Sequence, residues 1–146
     1  MARRYFTLDE AQELVPQLSE ILARSVQLQR LLQERADGLT TAGYTVTEAL
    51  LSGEDQPATP GDDLLLAETR GLYAALVEDA RHIEALGCEL KGPDLVDFWS
   101  WEDGQREVLL CWRLGERRVA WFHTPQAGFA GRQPVAGHRF TVEPEN

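Results

Sequence analysis

Asp97, His123 and Arg132 are the side chains of this chain best placed by type and spacing to do chemistry. His123 ends a strand-like run and opens the loop Thr124 to Arg132, whose Gly128 and Gly131 permit unusual backbone. A loop at a strand end is where a rigid scaffold presents an acid–base group or a ligand contact. The plainer role is a ring bonded to a backbone carbonyl that closes the sheet, because spacing fixes no second catalytic group. Asp97 lies between Val96 and Phe98 on an otherwise apolar run, so it is either exposed or buried with a partner. Arg113 and Arg132 are the candidate partners for a bidentate pair. Convergence of Asp97 with His123 would instead hold a divalent metal or activate water, but a metal site needs three protein ligands and these supply two.

Other groupings have plainer readings. Glu78, Asp79 and His82 share helical spacing and resemble the carboxylate-x-x-His unit of di-iron bundles, with Glu10, Glu13 or Glu20 as the facing carboxylates such a site requires. A solvated acidic face accounts for them more simply. Gly128-Phe129-Ala130-Gly131-Arg132 invites comparison with phosphate loops, yet lacks the Gly-Lys-Ser/Thr ending and a following helix. A tight turn that inserts Phe129 into the core and pins Arg132 is expected. Trp99, Trp101, Trp121 and Phe129 are the candidate aromatic wall for a ligand. Trp112 is expected in the core, and the other three tryptophans on a partly exposed outer face. No cofactor motif and no complete metal-ligand set is present.

These residues need elements to hold them. Thr7-Leu8-Asp9-Glu10 is a capping box, so a helix starts at Leu8. Apolar or small residues recur from Leu8 through Ala11, Val15, Leu18, Leu22, Ser25, Leu32 and Ala36 to Leu39, interrupted by Gln29 and widened by Leu14, Ile21, Leu28 and Leu31. Pro16 removes one helical bond and predicts a bend. A helix from Leu8 to Asp37 would be about 45 Å long at ~1.5 Å per residue, too long for a small globule to cover. Residues 38–61 read as an acidic, flexible connection with one turn of helix near Thr47 to Leu51. A second helix over 62–87, capped by Asp62 or Asp63, carries Leu65, Leu72, Leu76, Ala80, Ile83 and Leu86 and closes at Gly87. The two should pair antiparallel.

The period then changes to two. Leu95 to Trp101, the Asp103-Gly104 turn, Val108 to Leu114, Gly115-Glu116 and Arg117 to Phe122 predict a three-stranded antiparallel meander within 88–140. On its middle strand Val108, Leu110, Trp112 and Leu114 face the helices, and Glu107, Leu109, Cys111 and Arg113 face away. The fold class is α+β, a long antiparallel helical hairpin followed by a small sheet, in one domain of 146 residues.

Composition narrows the function classes. The formal net charge is −10, and Asp37, Glu48, Glu54, Asp55, Asp62 and Asp63 fall between Arg35 and Arg70 with no base among them. Such a surface opposes a phosphate backbone and argues against nucleic-acid binding. Lys91 is the lone lysine, and the arginine bias is read as coding preference. Cys88 and Cys111 lie in no metal-finger or redox spacing and read as reduced, packed thiols of a cytoplasmic protein. Arg3-Arg4 is followed by Asp9 and Glu10 before any apolar run, so no export signal is expected, and no run is long enough to span a membrane.

The opening Thr7-Leu8-x-Glu10-Ala11, the nearby Leu-x-x-Pro pattern, Gly87-Cys88-x-Leu90-Lys91, Leu95-Val96-Asp97-Phe98, Leu110-Cys111-Trp112-Arg113-Leu114-Gly115-Glu116 and Gly128-Phe129-Ala130-Gly131-Arg132-x-Pro134 together resemble an uncharacterised bacterial domain-of-unknown-function family. The resemblance covers nearly all of the chain but the acidic connection, and implies no assigned reaction. Members of that family often follow the tryptophan-aromatic-histidine unit with an acidic residue, where this chain has Thr124, a departure that counts against a carboxylate-assisted role for His123.

The leading expectation is a non-enzymatic homo-oligomer that buries its overlong apolar helices against a second copy or a protein partner. The alternative is a small metal-binding protein or hydrolase-like enzyme built around His123 and Asp97.

Overall fold

The computed structural model describes residues 2–57 and 63–146, and these divide into two compact units: one formed by the chain up to Ala23 together with His82–Asn146, the other by Arg24–Arg81. The fold is α+β, with helices α1 (Leu8–Thr41), α2 (Glu48–Ser52) and α3 (Asp63–Ala85) and strands β1 (Glu89–Gly92), β2 (Leu95–Glu102), β3 (Arg106–Arg113), β4 (Trp121–His123), β5 (Gln133–Pro134) and β6 (Phe140–Thr141).

In the first unit the capping box sets the start of α1. The Thr7 amide donates to Glu10 Oε1 at 2.9 Å and the Glu10 amide donates to Thr7 Oγ1 at 3.1 Å, satisfying two of the amides that a helix start leaves without intrahelical partners. The helix continues through Pro16. Gly87, at φ +90°, ends α3 in a left-handed turn that places it against the Arg4 side chain, where a Cβ would collide.

Among the described residues all strand pairs are antiparallel, in the order β1-β2-β3-β4-β5 with β6 also on β2, which gives a sheet of six strands rather than the three read from the sequence. The Asp103-Gly104 turn forms as expected: both residues have positive φ, and the Gln105 amide donates to the Glu102 carbonyl at 2.9 Å. The third meander strand is shorter and later than Arg117 to Phe122. The Val119 amide is taken by Gln12 Oε1 at 2.7 Å and the Glu116 carbonyl by the Trp112 indole at 2.9 Å, so pairing with β3 begins only at Trp121. The N-terminal segment lies along β2, where the Phe6 amide donates to the Trp99 carbonyl at 2.8 Å and Ser100 Oγ to the Phe6 carbonyl at 2.7 Å.

Val96, Phe98, Val108, Leu110, Trp112 and Phe122 form the inner sheet face. They are fully buried with Phe6, Ala11, Leu18, Leu22 and Ile83, so the first turns of α1 have the sheet as their cover.

In the second unit α1 runs on to Thr41, past the Asp37 boundary expected, and α2 occupies part of the connection. Thr47 caps α2 through the Leu50 amide and Gly53 closes it at φ 87°. Arg70 donates to the carbonyls of Leu50 and Asp55, at 2.8 and 2.9 Å, which ties α2 to α3. Leu39, Leu50 and Leu66 are buried together. Asp62, one of the two expected caps of α3, lies outside the described residues, as does the side chain of Asp63.

Replacing Thr7 by Ala should cost about 1 kcal/mol of stability in urea denaturation, while Thr7→Ser stays near the native value. Equal midpoints for all three proteins would show that the box contributes nothing.

Candidate functional site

Sheet register decides which polar groups meet. Counting back along the hairpin from Glu102 opposite Arg106, Asp97 stands opposite Cys111; on the other side of β3, Cys111 stands opposite Trp121, and His123 opposite Leu109. Alternation then puts Asp97, Cys111 and His123 on the outer face. They are nevertheless buried, at 2%, 0% and 3% exposure, as is Leu109 between them.

The same outer face carries arginine–aromatic contacts from the N-terminal segment and from the loop after His123. On one side the Arg3 guanidinium lies 3.7 Å from the Trp99 ring centroid, Tyr5 packs on Trp101, and the Tyr5 hydroxyl donates to Glu107. On the other, Arg132 lies over Trp121 and Phe129, 5.2 and 4.6 Å from their centroids. Trp99, Trp101 and Trp121 are half-buried and Trp112 fully buried, as their strand positions predict.

The His123 ring bridges two partners. Nδ1 lies 2.8 Å from the Thr124 carbonyl oxygen, which can only accept, so Nδ1 carries a proton and donates. Nε2 is left to Asp97 Oδ2, 3.0 Å away, and one proton is shared between them. Burial pushes the Asp97 carboxyl above its ordinary range, against the opposing pull of His123 and Cys111. The Cys111 thiol is pushed up to about 12, by burial first and by the Asp97 carboxylate next. Oδ1 of Asp97 is buried and makes no hydrogen bond of acceptable geometry. An imidazole nitrogen, the sulfur and a carboxylate oxygen of this trio all lie within 4.8 Å of one another.

Neither expected arginine reaches Asp97. Arg132 donates through Nη2 to both carboxylate oxygens of Glu116, at 2.8 Å each, and Arg113 donates to Asp94 at 3.0 Å. The structure thus brings Asp97 and His123 together and leaves Arg132 outside. Phe129 is not in the core as expected: it starts a short 3-10 turn over Phe129–Gly131, is 43% exposed, and lies between Arg113 and Arg132. The loop leaves its ring on the arginine side of the sheet edge, where guanidinium faces replace apolar packing.

Asp79 is likewise not part of a solvated face. It is buried and accepts from Arg24 through a two-nitrogen pair and from Ser25 Oγ at 2.8 Å. Glu78 and His82 are exposed. Among the described residues, the clusters that gather three metal-ligand atoms are Asp97/Cys111/His123 and Glu102/Asp103/His138, and neither includes Glu10, Glu13, Glu20 or the Glu78-Asp79-His82 group.

Cys111 is hidden as a partner because its neighbours in sequence are apolar. The signal that finds it is the Asp103-Gly104 turn, which fixes the hairpin register and so sets the thiol against Asp97. A separate open cleft of about 610 Å³ is lined by Arg3, Arg4, Cys88, Glu89, Lys91 and Trp99 among others, and contains none of the trio.

A second surface belongs to the other unit. The pairings Arg24–Asp79 and Arg35–Glu68 run in opposite chain order along α1 and α3. Val26, Leu28 and Leu32 of α1 and Leu72, Leu76 and Val77 of α3 are only half-covered, and Leu31 is 39% exposed. Among the described residues, no helix is long and apolar enough to cross a membrane.

Residues 4–135 match the model of a family described as an uncharacterized conserved protein (DUF2203), and the chain belongs to that family. No curated protein and no solved structure matches the chain.

Two results follow for the buried groups. Both Cys88 and Cys111 are buried free thiols pushed up to about 12, so a thiol reagent at pH 8 should leave them unmodified in the native protein and label both in guanidinium; fast native labelling of Cys111 would contradict its placement. The raised Asp97 pKa means that its contribution to stability is complete below the unfolded carboxyl value of about 4 and is lost as pH rises through the folded value. Asp97→Asn cannot lose that proton, so urea titrations from pH 4 to 8 should show it gaining on the native protein as pH rises. A flat or opposite trend would contradict a buried, proton-retaining Asp97.

Proposed function

We propose that this family member is a homo-oligomeric interaction module, whose second copy docks on the α1–α3 pair between Arg24 and Arg81. The observation that carries the reading is the difference in cover along α1. Its residues Ala11, Leu18 and Leu22 are fully buried in the first unit, whereas Leu28, Leu31 and Leu32 in the second unit are not.

Two helices touch along one line and can hide only part of two apolar stripes; a third layer has to supply the rest. A second copy brings the same two stripes, and a two-fold axis lets each cover the other as a four-helix arrangement. The half-covered leucines are interleaved with Gln29, Arg30, Gln33 and Glu34, which gives such an interface a polar rim.

The hydrolase-like reading around His123 and Asp97 has less support. Both groups are buried and line no part of the cleft beside Cys88, and the Cys111 thiol beside them is held protonated, so this trio presents no activated nucleophile to that cleft. Two buried, unpaired thiols favour a reducing compartment such as the cytoplasm.

Light scattering of the purified protein at tens of micromolar should give twice the chain mass. Leu31→Glu together with Leu72→Glu should return it to one chain with unchanged helix content. A single-chain mass for the unaltered protein removes this reading.

A further inference from the structure

We infer that Asp97, Cys111 and His123 form a binding site for one divalent transition-metal ion of the zinc type, set into the outer face of the sheet. Four observations meet there. The three residues offer a carboxylate oxygen, a sulfur and an imidazole nitrogen within 4.8 Å of one another, the donor types and the number of protein ligands that a tetrahedral zinc-type ion accepts. The Nδ1–H of His123 donates to the Thr124 carbonyl and so turns Nε2 toward Asp97 and the cluster, as the outer hydrogen bond does for a metal-bound imidazole. One oxygen of Asp97 is buried with no partner of good hydrogen-bond geometry and has the weakly donating Cys111 thiol beside it, an arrangement that a cation bound between them would satisfy better. All three groups sit on neighbouring strands rather than on a loop, so the cluster is held before any ion arrives.

The ion would displace the thiol proton of Cys111 and the proton shared by Asp97 and His123, both leaving to solvent. It would then bond sulfur, Nε2 and the carboxylate, with one position left for water or another donor. The second cluster, Glu102/Asp103/His138, is a weaker candidate. Arg106 already pairs with Glu102 at 2.7 Å, the Arg139 amide donates to Asp103 at 2.8 Å, and no sulfur is present.

Cobalt(II) is the probe, because a thiolate ligand announces itself by a sulfur-to-metal charge-transfer band in the near ultraviolet. Full-length protein stripped by chelator should bind one equivalent of Co2+, with that band and the intense visible bands of a tetrahedral site. Zinc should displace both sets. Cys111→Ser should abolish the charge-transfer band, and His123→Gln should weaken binding at least 10-fold, while Cys88→Ser and His138→Gln leave both unchanged. The measurement on the unaltered protein stands even if a variant fails to fold. No binding, binding without the thiolate band, a band that survives Cys111→Ser, or binding lost with His138→Gln would each overturn the site. The dimer reading would be untouched, since it concerns other residues.

Discussion

A pair of helices cannot bury two apolar stripes by itself, and much of this chain follows from where a third layer is present. Along the first turns of α1 the inner sheet face supplies it, through Val96, Phe98, Leu110, Trp112 and Phe122, and Ala11, Leu18 and Leu22 are fully buried. Between Ser25 and Leu39 no described residue of the unit takes that part, so Leu28 and Leu32 stay half-covered and Leu31 is exposed. At the start of that stretch the buried groups Ser25 and Asp79 are polar, joined to each other, with Arg24 on Asp79. A buried carboxylate met by a serine hydroxyl and a guanidinium fixes how α1 and α3 align within the unit, but adds little hydrophobic stabilisation.

The sheet solves a different problem. At the centre of its outer face Asp97, Leu109, Cys111 and His123 are buried, and the N-terminal segment and the loop after His123 add arginine–aromatic contacts to that face. Arginine suits such contacts because its planar guanidinium can lie on a ring while its edge pairs with a carboxylate, as Arg132 does with Trp121 and Glu116 and Arg3 with Trp99 and Glu107. The bias toward arginine thus has a structural use at these positions. Burial on that face removes Asp97, Cys111 and His123 from water, which keeps the thiol protonated and makes the carboxylate costly unless a proton or a cation attends it.

Much of this can be read from the residues, and the failures have physical causes. The capping box at Thr7, the helical spacing of both long helices, the Asp103-Gly104 turn and the inward placement of Trp112 are all local patterns, and local patterns survive folding. Strands β5 and β6 have two residues each, too few to show a period. The segment before Trp121 has the composition of a strand but gives its backbone groups to Gln12 and Trp112, partners distant in sequence or in side-chain type. Charge alone ties Arg132 to Asp97, whereas the loop geometry delivers it to Glu116. The Asp97–Cys111 pairing is within reach of the sequence, since the turn fixes the register, but a cysteine among apolar neighbours reads as packing until the strands are laid side by side.

The central claim, that the α1–α3 surface is completed by another copy, is tested most directly by hydrogen exchange at several protein concentrations. Amides in residues 24–39 and 66–81 should gain protection as concentration rises, while those of β2 and β3 stay constant. Exchange in the helices that is the same at every concentration, in a protein whose sheet is fully protected, would contradict it.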